Sequence, residues 1–317
     1  MSIRTTFAKR FCLPFLFLAV TTALFSSCDK KVYNSVRTYS ISDAQLERLK
    51  GQTAVLVLPE SEYTYIDDYK KLVSNAWKLT PIEVIRYSDL PKYSDISKYA
   101  FFNMRGLRTT STSSTSSYSN THYYLTLSSY YMKKKKMESD DFCRIELYPD
   151  FKTTNMTFSK KNDGDDLYQN ATIRNFTLPY ILAYLQTIEK NVKAKTSPAV
   201  FEEYTDQPLR SRLVRDTLYV PDQLLFSRNK FNGRETEKEE NFFQSYKGPY
   251  RMIATKDLIE LIKTRDAKKP LFLFEYVLSS SEKYVGVLEI HSGKIVYRRY
   301  TPMTYNLKAK DLEKIIE

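Results

Sequence analysis

Two histidines, His122 and His291, are all the imidazole that this chain offers to chemistry. They lie far apart, so no local H-E-x-x-H zinc site exists. A Ser-His-Asp triad would have to form around one of them, and no G-x-S-x-G elbow supports it. His122 borders a serine/threonine tract and His291 a Ser292-Gly293 turn, so both are expected to be exposed turn residues. The seven glycines, Gly51, Gly106, Gly164, Gly233, Gly248, Gly286 and Gly293, form neither G-x-G-x-x-G nor a P-loop. Asn162-Asp163-Gly164-Asp165-Asp166 is the nearest thing to a cation loop. Aligned as a calcium-binding EF-hand on Gly164, it puts Ser159, Lys161 and Asn170 at ligand positions, and a lysine there repels the ion. A turn is expected instead. Cys143 alternates with Ile145 and Leu147 on one face and is expected to be a buried apolar thiol. Asp89 and Asp257 suit the positive start of a helix better than catalysis. No catalytic, metal or cofactor-binding residue is nominated, and no cofactor is expected.

What the chain states most clearly is an address. Arg4, Lys9 and Arg10 precede the apolar run Phe11–Phe25, which is short for a membrane span. The run ends in Leu24-Phe25-Ser26-Ser27-Cys28. This segment resembles the lipobox of bacterial lipoproteins, in which cleavage falls between the small residue and the cysteine, here Ser27 and Cys28. The cysteine, Cys28, is then lipidated; Phe25 stands where the family pattern prefers leucine. An ordinary cleaved signal peptide or an uncleaved anchor is the alternative. The resemblance implies a domain tethered to a membrane by acyl chains, each buried CH₂ contributing about 0.8 kcal/mol. General composition resembles envelope lipoproteins of the Bacteroidota. The sequence after Cys28, Asp29-Lys30-Lys31-Val32, lacks the acidic run that sends some of those to the cell surface, so the periplasmic face is expected.

The chain carries 49 basic and 37 acidic residues, a net charge of +12. Such a charge suits nucleic acid, but the expected address lies outside the cytoplasm. An anionic envelope polymer or a protein partner is expected instead, with no nucleic acid. The 26 tyrosines could stack at such an interface, although many must serve as core. Cys12 leaves with the leader and Cys28 carries lipid. Cys143 then has no intramolecular disulfide partner.

Positioning falls to a repeated plan. Pro81-Ile82-Glu83-Val84-Ile85-Arg86-Tyr87-Ser88-Asp89-Leu90 recurs as Pro249-Tyr250-Arg251-Met252-Ile253-Ala254-Thr255-Lys256-Asp257-Leu258. The matches are Pro81/Pro249, Ile85/Ile253, Asp89/Asp257 and Leu90/Leu258. Around the first copy, Ser42 and Gln45 have capping-box spacing, and Gly51 ends the short helix they open. Ala54–Leu58 reads as a strand buried on both faces, Tyr65–Lys78 as a helix, Ile82–Tyr87 as a strand. A short helix over Ser94–Tyr99 and a strand over Ala100–Met104 follow. The serine/threonine tract Thr109–Thr121 reads as a solvated loop. Tyr123–Met132 and Phe142–Tyr148 form a hairpin around the lysines Lys133–Lys136, and Leu178–Val192 a closing helix. The second copy runs Thr217–Val220 strand, Thr236–Tyr246 long helix, Tyr250–Ala254 strand and Asp257–Ile262 helix. Leu271–Leu278 is its third strand, and a hairpin follows over Tyr284–His291 and Lys294–Tyr300, turning at Ser292-Gly293. Lys308–Ile316 closes it.

The fold class expected is α/β, two tandem related modules, each a mixed β-sheet with packed helices in the order β-α-β-α-β-β-β-α. Boundaries fall at 1–28 (signal peptide), 29–51 (tether and short helix), 52–193 (first module), 194–212 (linker) and 213–317 (second module). Gly286–Tyr297, a strand leading through a glycine turn into a second strand, resembles a pattern of curli-secretion-type envelope lipoproteins. It is similar too to the amino-terminal module of the TolB translocation protein. That likeness implies a fold and no activity. The expected function is a membrane-anchored, non-catalytic binding or assembly module. The alternative is an envelope hydrolase with a dispersed carboxylate site, which two acidic residues converging in a pocket would favour.

Overall fold

The computed structural model describes residues 36–112, 117–155, 163–197, 204–229, 234–237, 240–304 and 306–317. Ser27 and Cys28 lie outside these residues. Among the described residues, no helix is long and apolar enough to cross a membrane.

The first module begins with β1 (Val36–Thr38) and α1 (Asp43–Lys50), continues through β2 (Thr53–Leu58) and α2 (Ile66–Ala76), and reaches β3 (Ile82–Arg86). A 3₁₀ helix, Tyr87–Tyr93, leads to β4 (Tyr99–Thr112), β5 (Ser117–Lys133) and β6 (Lys136–Glu146). Short helices α3 (Phe151–Thr154) and α4 (Asp163–Gln169) precede α5 (Leu178–Lys193). The second module comprises β7 (Tyr204–Thr205), α6 (Gln207–Arg210), β8 (Leu218–Pro221), β9 (Phe226–Arg228), β10 (Glu235–Glu237) and β11 (Tyr250–Ile253). It ends with α7 (Thr255–Thr264), β12 (Phe272–Ser279), β13 (Glu282–Glu289), β14 (Lys294–Pro302) and α8 (Ala309–Glu313).

The two modules share one topology. The first sheet runs β3-β2-β4-β5-β6-β1 and the second β11-β8-β12-β13-β14-β7. In both, the first two pairings are parallel and the remaining three antiparallel. Even the irregularities coincide: a register shift after Leu127 in β5 and another after Val287 in β13. The repeated decapeptide occupies one corner of each sheet. Ala54 N donates to Pro81 O at 2.8 Å, and Leu218 N donates to Pro249 O at 3.0 Å. Each sheet is mixed because its apolar central strand, β2 or β8, pairs in parallel on both sides, whereas the later strands are joined by tight hairpins.

Several elements differ from the sequence expectation. Thr109–Thr121 is no simple loop: its flanks extend β4 and β5 in a ladder reaching Thr112↔Ser117, with 113–116 outside the described residues. β-Branched threonine suits a paired strand. The helix expected over Ser94–Tyr99 is replaced by the earlier 3₁₀ segment, whose turn leaves Tyr99 to start β4. Thr236–Tyr246 is not a long helix; it holds β10 and a 3₁₀ turn, Glu240–Ser245. The Asn162–Asp166 stretch is not a plain turn, since Asp163 opens α4; Asn162 lies outside the described residues. The last hairpin turns through four residues, Ile290–Gly293, rather than two. β1 falls within the stretch read as tether, whose short helix is α1 as expected, and β7 and α6 fall within the stretch read as linker.

The capping box behaves as its spacing requires: Gln45 N–H donates to Ser42 Oγ at 3.3 Å, and Ser42 N–H to Gln45 Oε1 at 2.8 Å. Helix α5 is buried nearly all round, from Leu178 to Val192. A helix apolar on every side needs packing on every side, and α5 obtains it from both modules. Tyr180 donates to Phe274 O at 2.5 Å, Gln186 to Ile290 O at 2.6 Å and Thr187 to Gly293 O at 2.5 Å.

Candidate functional site

The seam between the modules gathers the reactive side chains. β5 carries His122, β6 carries Arg144 and Glu146, and the β12–β13 hairpin of the second module brings Ser279, Glu282 and Tyr284. Alternation along β6 fails as a guide to exposure here. Phe142 to Glu146 are all buried, because one face of β6 meets its own module and the other meets this hairpin.

His122 is thus no exposed turn residue. It sits in β5 with its side chain 16% exposed, Nδ1 lying 3.1 Å from Ser279 Oγ and 3.9 Å from Glu146. Ser279 donates its hydroxyl proton to Glu146 Oε2 at 2.6 Å, and Arg144 Nε donates to Glu146 Oε1 at 2.5 Å. A serine has one proton to give. Nδ1 of His122 must therefore donate to Ser279 Oγ, leaving Nε2 with the lone pair. The residue types of a triad meet, but in the wrong order. The imidazole nitrogen facing the serine carries a proton and cannot accept one, so Ser279 is no activated nucleophile. Burial lowers the His122 pKa, and the Arg144 charge adds to this against the opposing pull of Glu146.

Glu282 is a seam carboxyl held well above its ordinary value. Burial, then the charge of Glu146, push its carboxyl up to about 7, against hydrogen bonds from Tyr284 and Tyr300. Tyr284 donates to Glu282 at 3.2 Å. Glu146 thus acts electrostatically on a second carboxyl, Glu282, that holds its proton near neutrality, as acid–base chemistry requires.

A second feature lies on the opposite edge of the first sheet. A groove of about 670 Å³ runs along β3, floored by Ile82–Arg86 and walled by Ile66, Asp67 and Lys70 of α2 on one side. Asp89, Lys92 and Tyr93 of the 3₁₀ helix form the other wall. This is the first copy of the repeated decapeptide; Asp89, expected to open a helix, lies instead in the first turn of the 3₁₀ helix that Tyr87 opens, and pairs with Lys92 at 2.6 Å. Neither Glu146 nor Glu282 lines this groove.

Elsewhere the nominated residues are structural. Cys143 is fully buried and its thiol is pushed up to about 12 by burial, so it is inert. His291 lies in the last hairpin turn but is half-buried rather than exposed, with Nε2 inaccessible. Among the described residues, no group of three or more His, Cys, Asp or Glu side chains could hold a metal ion. Of the tyrosines, Tyr69, Tyr123, Tyr148, Tyr180, Tyr184, Tyr276 and Tyr284 are fully buried core. No signal local in sequence could have found the seam cluster, since Ser279 lies 133 positions from Glu146 and 157 from His122.

No protein-family model, curated protein or solved structure matches this chain. What stands on its own evidence is the class: a two-module α/β protein with a duplicated six-stranded mixed sheet.

Proposed function

We propose that the chain is a non-catalytic binding or assembly module, lipidated at Cys28 and held on the periplasmic face of an envelope membrane. The partner is a protein or an anionic envelope polymer. The groove along the unpaired edge of β3 carries this reading, because an open sheet edge set between two helical walls offers contacts that the chain does not use itself. The reversed order of His122, Ser279 and Glu146 argues against one particular chemistry, since it leaves Ser279 unactivated as a nucleophile. The lipid anchor rests on Leu24-Phe25-Ser26-Ser27-Cys28 alone.

In-cell photo-crosslinking of the tagged chain, with Cys28→Ala as control, tests both parts. The anchored chain should yield a discrete adduct. Cys28→Ala should lose palmitate labelling and leave the membrane fraction; unchanged labelling overturns the anchor.

The hydrolase alternative is favoured by one observation, the charge of Glu146 acting on a Glu282 that titrates near 7. Turnover of an envelope glycan or peptide by the purified chain, abolished in Glu282→Gln, would establish it in place of the binding reading.

A further inference from the structure

The ladder between β2 and β3 decides which backbone groups of β3 are free. Ala54 N donates to Pro81 O, and Ala54 lies opposite Ile82. In a parallel pair, alternate residues bond to the same neighbour. Glu83 and Ile85 therefore turn their amides and carbonyls towards β2, while Ile82, Val84 and Arg86 turn theirs outward. β3 ends its sheet, and among the described residues no strand lies beyond it. The Arg86 amide is engaged by the Asp89 carboxylate. Ile82 and Val84 present their amides and carbonyls to the groove, with no partner among the described residues.

The groove is thus shaped for one kind of occupant. Its floor offers donors and acceptors at the two-residue repeat of a strand. Its walls offer Ile66 and Tyr93, and their charges are answered internally: Lys92 by Asp89 at 2.6 Å, Lys70 by Asp67 at 4.0 Å, Glu83 by the Tyr93 hydroxyl at 2.5 Å. Three acidic and three basic side chains line it, so it asks for no net charge. A polyanion finds no basic track here. A second copy would bring another strongly basic body against a recessed edge. A single extended chain meets neither obstacle.

We propose that the β3 groove binds an extended peptide strand of a partner protein, which adds to the sheet edge through the backbone of Ile82 and Val84 and seats uncharged side chains between α2 and the 3₁₀ helix. Strand addition beside a helix draws its affinity from main-chain bonds and its specificity from alternate side chains. The inference rests on the binding-module reading and names the partner's chemistry.

The test uses the full chain in detergent micelles and a displayed random decapeptide library. Enriched peptides should be apolar or uncharged at alternate positions and bind as synthetic labelled peptides. N-methylation of alternate backbone amides should weaken binding at least tenfold in one phase and little in the other. Val84→Pro should weaken it at least tenfold, because that amide makes no ladder bond and proline is tolerated at such edge positions; Val84 is buried, so this variant also loses some Tm and is read beside the others. Ile82→Pro provides a second variant, and the N-methyl series needs no variant at all. Failure to enrich any peptide, equal effects of the two N-methyl phases, or full affinity in both proline variants overturns the proposal. So does a dimer of the free chain that Val84→Pro converts to monomer, which would assign the edge to a second copy. A crosslinked partner in cells that maps away from β3 would leave the binding module standing while removing this groove from it.

Discussion

Ser279, the last residue of β12, gives its hydroxyl proton to Glu146 of β6 across the module seam at 2.6 Å. Both partners are buried, Glu146 at 1% exposure. Removing one partner of such a bond leaves the other desolvated. Ser279→Ala should cost about 1–2 kcal/mol of unfolding free energy in urea titration, Arg144 still engaging the other carboxylate oxygen. The same variant should not lower any hydrolytic turnover the chain possesses, since Ser279 is no nucleophile.

The seam also sets a pH dependence. Glu282 is raised from its ordinary 4.5 to about 7, chiefly by burial, and Glu62, burial again leading, is likewise raised to about 7. A carboxyl raised on folding prefers its protonated form in the native state. Its contribution is complete below about 4.5 and is lost as the pH climbs towards 7. His122 is lowered, so it has the opposite sign: its neutral form suits the fold, and stability falls as the pH drops below 6.5. Glu282→Gln should therefore gain on wild type as pH rises from 5 to 8, by roughly 1–2 kcal/mol after allowing for its partial exposure. Thermal melts across that range read this directly, and a constant difference between the two proteins would refute it.

Gly293 holds the second module against α5. Its φ is +62°, and a Cβ there would come within 2.4 Å of Gln186 Cβ and 2.7 Å of Thr187 N. Both the left-handed backbone and the close approach exclude a side chain. Gly293→Ala should destabilise by about 2–4 kcal/mol, adding overpacking to backbone strain. Chemical denaturation measures this.

The β5–β6 turn presents the opposite situation. Lys134 and Lys135 both take positive φ, 48° and 66°, in a two-residue hairpin between Lys133 and Lys136. That backbone favours Asn-Gly over two lysines. The double substitution Lys134→Asn, Lys135→Gly should stabilise by about 1 kcal/mol, read as a rise in Tm of a few degrees or less for a chain of this size.

A buried pair closes the second module. Lys283 Nζ lies 2.5 Å from Asp311 Oδ2, with side chains 1% and 4% exposed. Asp311→Ala strands the ammonium and should cost about 3–5 kcal/mol, whereas joint replacement by Lys283→Met and Asp311→Leu should cost much less. A double-mutant cycle separates the two.

The parts visible in the sequence were those fixed by local pattern. The apolar run at Ala54–Leu58, the Ser42/Gln45 capping spacing and the twin prolines at 81 and 249 each act within a few residues, and each led to the right element. Thr109–Thr121 misled because its flanks pair with each other as strands, which a serine/threonine composition does not announce. Thr236–Tyr246 misled because helical spacing cannot outweigh the Arg228–Glu235 contact that folds the segment back as β10. The seam cluster was invisible for a simpler reason: its members belong to different modules, and only packing introduces them.

Helix α5 closes the first module, yet its second face is completed by β12, β14 and the last hairpin turn. While the chain is made from its amino terminus, that face has nothing to cover it until the final third arrives. Tyr180, Tyr184 and Thr187 would meanwhile stand open to any apolar surface nearby. Burial of that side of α5 thus waits on the second module, whose strands and last turn supply its cover.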